Sequence, residues 1–128
     1  MRKLLFCLAL LGVILASLNC FRKEKEDEVS KIREVMGVFS RGLSQNSKTV
    51  MDSVCIKDIS QNILNEIYVQ KKIIQPQITE RKFAIYGKQA EVRFVLRDER
   101  NQDASPPSVK LTLTKKWGKW RIVNFEME

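Results

Sequence analysis

Apolar residues recur every three or four positions up to Pro76 and every second position after it. This switch of period limits the chain to helices followed by a sheet. Val29, Ile32, Val35, Met36, Phe39 and Leu43 form one stripe on a helix predicted over residues 26–45, with Lys31, Arg33, Glu34 and Arg41 mostly off it. Gly42 and Gln45-Asn46-Ser47 punctuate its end. Ser47 is the expected N-cap of a shorter helix that buries Val50, Met51 and Val54. Asp58 with Gln61 three residues on fits a capping box. It opens a third helix over residues 59–72, whose apolar positions are Ile59, Ile63, Leu64, Ile67 and Tyr68, and Pro76 stops it.

Beyond Pro76 the alternation predicts strands over residues 78–86, 89–97, 108–115 and 120–126. Tyr86-Gly87-Lys88 and Lys116-Trp117-Gly118-Lys119 are the turns of two hairpins, and the polar stretch 98–107, with Asn101, Asp103, Pro106 and Pro107, is a loop. Ala90, Val92, Phe94, Leu96, Val109, Leu111, Leu113 and Ile122 fall on the inward face. Helices first and an antiparallel meander afterwards imply an α+β domain with the helices packed on one sheet face. The opening helix Val29–Leu43, the helix Asp58–Lys72 and the close Lys116-Trp117-Gly118-Lys119-Trp120-Arg121-Ile122-Val123-Asn124-Phe125-Glu126 resemble the nuclear-transport-factor-two-like superfamily. That resemblance implies a cone-shaped fold in which a bent antiparallel sheet wraps the helices and a pocket can open between them. The chain departs from many members in having no clear strand pair between its first helices.

The beginning of the chain carries a separate message. Met1-Arg2-Lys3 is followed by an apolar run to Leu18 and then by Asn19-Cys20. Two positive charges, an apolar stretch and small residues near its end are the parts of an export signal. A cysteine directly after such a stretch resembles the acceptor of bacterial lipoprotein processing, although Ser17, Leu18 and Asn19 depart from the usual residues before it. The resemblance implies a signal peptide at residues 1–19, lipidation of Cys20 with palmitate-type acyl chains, a charged tether at 20–28 and a single domain at 29–128. It places the protein outside the cytoplasm, anchored to a bacterial membrane. Phe21, not Asp, follows the cysteine, which favours the outer membrane, on its periplasmic or surface side. Two other readings of the stretch are an uncleaved anchor and a plain signal peptide that leaves Cys20 as a free thiol. The run is shorter than the roughly 20 apolar residues a spanning helix needs.

The formal net charge of +8 includes Arg2 and Lys3, so removal of the leader leaves a domain that is still basic. Outside the cytoplasm such a domain meets anionic envelope polymer, phospholipid or an acidic protein, and not nucleic acid. Arg93, Arg97, Lys110 and Arg121 fall on outward strand positions and are candidates for one basic face. Tyr68, Phe94 and Trp120 are candidates for the wall or mouth of an apolar pocket inside the cone. A filled hydrophobic interior competes with that pocket. The chain has no histidine, and Cys55 therefore has no base to activate it. No metal cluster, nucleophile–base pair or phosphate-cradling loop stands out, so neither cofactor nor metal is expected. The reading that results is a membrane-anchored, non-enzymatic binding or interaction domain. Its alternative is a small-molecule binder or isomerase-like enzyme that uses the cone pocket.

Overall fold

The computed structural model describes residues 26–102 and 105–128. The leader, Cys20, the tether as far as Lys25, and Asp103 lie outside the described residues. The chain divides into the units Met1–Lys31 and Ile32–Glu128. In the first, residues 26–31 are helical and a Glu28–Lys31 ion pair of 3.6 Å joins successive turns.

In the second unit, residues 32–44 form helix α1. Its buried positions Ile32, Met36, Phe39 and Leu43 are the stripe expected from their spacing. Gly42 lies inside this helix and is buried, so it is a packing residue and not punctuation. A Cβ there would stand 2.5 Å from Met51 Cγ and 3.1 Å from the Met51 backbone nitrogen. The missing side chain is what lets α2 (Lys48–Asp52) approach α1. Ser47 caps α2, accepting a hydrogen bond from the Val50 N–H.

Helix α3 spans Ile59–Leu64. Asp58 does not cap it, because its backbone is left-handed (φ 74°) where an N-cap side chain needs extended geometry. The helix does not reach Lys72 as a regular α-helix either. From Asn65 to Gln70 it widens into a π-helical turn, and the chain leaves with the Ile73 N–H bonded to the Ile67 carbonyl.

Four strands follow in a simple meander: β1 (Pro76–Tyr86), β2 (Gln89–Asp98), β3 (Ser108–Lys116) and β4 (Lys119–Met127). Pro76 opens β1, a place where a residue without an N–H is tolerated on an edge strand. Every residue of the expected inward set is buried. Phe39 of α1 meets Phe94 of β2 with ring centroids 6.2 Å apart and planes tilted by 57°, so the helix seats directly on the sheet. Arg33 lies 6.0 Å over the Phe83 ring and covers the β1 end of that contact.

Bulges interrupt the ladder between Thr79 and Lys82 of β1 and at Val123 of β4. Beside the second bulge the α2–α3 loop adds a short parallel bridge between Cys55 and Ile122. The Ile56 N–H donates to the Ile122 carbonyl at 3.0 Å, and the Ile122 N–H to the Val54 carbonyl at 2.8 Å.

Candidate functional site

Of the three expected pocket residues, Phe94 borders the second of the two clefts described below, and Tyr68 and Trp120 border neither. Phe94 and Trp120 are 3% and 4% exposed and belong to the hydrophobic core. Tyr68 is half-buried, and its hydroxyl donates to the Leu43 carbonyl near the end of α1, which ties the π-helical turn to the first helix. Burial raises the Tyr68 pKa above its ordinary value.

Two clefts do open at the surface. One of 580 Å³ lies at the end of the sheet, lined by Lys71, Lys72, Arg97, Asp98, Glu99 and Glu128 among others. The second, of 560 Å³, runs over the bulged part of β1 past Lys82, Arg93, Lys110 and Glu126. Neither touches Tyr68 or Trp120.

Asp98 in the first cleft serves the backbone. Its carboxylate accepts hydrogen bonds from the N–H groups of Ile74 (3.0 Å), Gln75 (3.1 Å) and Arg100 (3.1 Å), and these donors hold its pKa below 3.8. The carboxylate thereby pins the segment entering β1 to the end of β2.

The register decides how the basic residues are grouped. Lys82, Arg93, Lys110 and Glu126 stand opposite one another on four successive strands, forming one row across the outer face. Arg93 and Lys110 are therefore neighbours. Each has a carboxylate beside it: Glu91 at 3.6 Å from Arg93 and Glu126 at 3.1 Å from Lys110. These pairs relieve the repulsion that like charges opposite each other impose. Arg97 is four residues along β2 from Arg93, about 13 Å at strand rise, and its Nε donates to Thr79 Oγ1 at 3.3 Å. Arg121 stands opposite Thr114, on the far side of the row. The outer face is thus mixed in sign at its centre, with Arg97 and Arg121 to either side and Asp98, Glu99 and Glu128 around the Arg97 end.

Cys55 is buried, and burial pushes its thiol up to about 11. Asp52 is exposed, and Lys48 at 2.9 Å holds its pKa below 3.8. Ser60 is the single polar side chain buried among the described residues, and its hydroxyl lies beside Asp52 and Cys55, where it favours the charged form of both. No group of three potential metal ligands occurs among the described residues.

A helical layer on a curled four-strand meander is shared with solved structures. An NTF2-like protein of unknown function from Shewanella baltica superposes with a TM-score of 0.58 at 16% identity, covering 80% of this chain and 94% of that one. A variant designated Rd1NTF2 gives 0.59 at 11% identity, over 79% and 99% of the two chains. The fold is NTF2-like. A protein of unknown function from Mycobacterium tuberculosis gives a TM-score of 0.59 at 11% identity, covering 83% of this chain and 73% of its own. No family model matches the chain, and no curated protein does. At these identities the NTF2-like likeness describes architecture and carries no activity with it.

Sequence reasoning passed over one residue that the structure makes conspicuous. Trp117, at the tip of the β3–β4 hairpin, is 91% exposed and holds a φ of 56°. The available signal was an aromatic residue in a turn position where Asn, Asp or Gly is usual.

Proposed function

We propose that this protein is a lipid-anchored, non-enzymatic binding or interaction module of a bacterial cell envelope, tethered through Cys20. The observation that supports a module without catalysis is the chemistry of the NTF2-like interior. It is lined by aliphatic, methionine and aromatic side chains, and the polar groups among its described residues are the Ser60 hydroxyl, the high-pKa Cys55 thiol, the Trp120 indole N–H and the Tyr68 hydroxyl at its edge. General acid–base chemistry needs a titratable group within reach of substrate, close to neutrality in pKa. The described interior offers no such pair.

The tether follows from the apolar run before Cys20. Each buried methylene adds about 0.8 kcal/mol of membrane affinity, and stable anchoring takes two acyl chains, which a diacylglyceryl group provides. The outer membrane is its proposed location. Cys20→Ser should abolish incorporation of labelled palmitate and release the protein from the membrane fraction; undiminished labelling refutes the anchor. The partner is an anionic envelope polymer or an acidic protein bound through Arg93, Lys110 and the flanking Arg97 and Arg121. Reversal of Arg93 and Lys110 to Glu should weaken salt-sensitive capture of that partner. Equal capture by the reversed protein rejects the outer face. A fatty acid or xenon atom found beside Tyr68 in a soaked crystal would instead favour the small-molecule or isomerase-like reading.

A further inference from the structure

Both hairpin turns lie at one end of the sheet. Gln89 stands opposite Thr114, and the Lys115 N–H donates to the Lys88 carbonyl at 2.8 Å, so the β1–β2 and β3–β4 tips sit side by side. Together they present Tyr86, 67% exposed, and Trp117, 91% exposed, with the exposed cations Lys88, Lys116, Lys119 and Arg121 around them. No Asp or Glu occurs in residues 86–89 or 114–121. Among the described residues no carboxylate pairs with Lys88, Lys116 or Lys119.

The turn itself shows that the indole is not there for folding. Lys116-Trp117-Gly118-Lys119 is a two-residue hairpin loop with positive φ at both central residues, 56° at Trp117 and 75° at Gly118. That geometry suits Asn or Gly, whereas a bulky side chain in it is strained. A nearly fully exposed Trp gains little packing to offset the strain. A residue that is both strained and unpacked points to something outside the chain.

We infer that the paired hairpin tips are a docking surface for an anionic phospholipid bilayer, with the Trp117 indole entering the headgroup layer and Lys88, Lys116 and Lys119 facing lipid phosphates. An indole has an apolar body and one N–H, the combination that settles at a membrane–water boundary. Lysines beside it keep their ammonium groups at phosphate level while their stems follow the apolar surface. The tips protrude, and neither surface cleft reaches them. A protruding turn cannot enclose a polymer chain or a peptide, but it can enter a soft planar layer that needs no matching shape. This contact goes beyond the tether at Cys20 and does not depend on it: it would orient the domain tips-down on the bilayer.

The test uses the full-length chain with vesicles of equimolar phosphatidylglycerol and phosphatidylcholine, some carrying brominated acyl chains. Flotation reports attachment by any route, and tryptophan emission reports the tip. Trp120 is buried, so the difference between the native protein and Trp117→Phe isolates Trp117. Quenching of Trp117 by brominated lipid, with several-fold protection from aqueous iodide that salt reverses, is the expected result. The double variant Lys116→Gln/Lys119→Gln should lower the docked-to-free ratio about 25-fold, at about fivefold per lysine near an anionic surface. Vesicle-bound protein whose Trp117 stays open to iodide overturns the inference while leaving the tether standing. Equal docking on phosphatidylcholine alone, or protection by a soluble polyanion but not by vesicles, overturns it as well. Docking that persists in Cys20→Ser supports it whether or not the protein is lipidated.

Discussion

Replacing Gly42 by alanine sets two well-measured effects against each other, and the structure decides which prevails. In a helix interior alanine is better than glycine by about 1 kcal/mol, so an unobstructed site would be stabilised. Here the new methyl would meet Met51 Cγ at 2.5 Å and the Met51 backbone nitrogen at 3.1 Å. Met51 is wholly buried, so its side chain cannot swing into solvent. The nitrogen belongs to α2 and moves only with that helix. Forcing one methyl into a packed core costs roughly 1–3 kcal/mol, and here the overlap falls at the upper end. Set against the propensity gain, Gly42→Ala should lose about 1–2 kcal/mol. For a domain of this size that lowers Tm by roughly 4–16 °C. Urea unfolding followed by far-UV circular dichroism measures the change. Combining Gly42→Ala with Met51→Ala should recover part of the loss, because the second truncation vacates the space the first one needs. The reasoning fails if Gly42→Ala is as stable as the native protein, or if the two substitutions are additive.

Trp117→Asn should raise stability by about 1 kcal/mol, since asparagine accepts the left-handed turn that strains tryptophan; a fall in Tm would reveal an internal contact of the indole. Cys55, with a thiol pKa of about 11 when folded against 9.0 unfolded, makes stability constant below pH 9.0 and decline as pH rises from 9.0 towards 11. The sign follows because the unfolded thiol releases its proton first. Cys55→Ala should flatten that alkaline limb of the stability curve, and a limb of unchanged slope would count against it. Asp98→Ala should cost about 1 kcal/mol, discounted for solvent exposure, as three backbone donors lose their acceptor. With a folded pKa below 3.8, the Asp98 contribution is present above pH 3.8 and lost as the medium becomes more acidic. An acid-unfolding midpoint identical in native and Asp98→Ala proteins would reject that role.

The sheet was legible because strand periodicity is a direct image of burial. Val92, Phe94 and Leu96, then Leu111 and Leu113, alternate with polar residues, and the fold buries each of them. The ends of the helices were less so. Spacing at Ile63, Leu64, Ile67 and Tyr68 serves an α-helix and a π-helical turn almost equally, so the widening at Asn65 left no mark in the pattern. Asp58 bears an N-cap residue type but takes a left-handed backbone, beside a loop that Ile56 binds to β4. Gly42 looked like a helix terminator because glycine usually breaks helices, while its reason for being there is a neighbour nine residues away. The candidate residues fared likewise. The alternation of β2 and β3 put Arg93 and Lys110 on the outward face, but their adjacency depends on register, and Glu91 and Glu126 were visible only as scattered acids. Trp117 was hidden because exposure at a turn is a property of the folded tip and not of local composition.

The short bridge that Val54 and Ile56 make to Ile122 has a consequence for how copies of the molecule behave when crowded. An uncovered outer strand is a template on which a second chain can add its own backbone. On the β4 side, that ledge is already occupied at its midpoint by the protein's own loop. On the β1 side, the ladder breaks between Thr79 and Lys82, where Glu80 takes a φ of 56°. Neither margin offers a long, straight run of vacant donors and acceptors, so ribbon growth from molecule to molecule is blocked at both borders without any help from a partner.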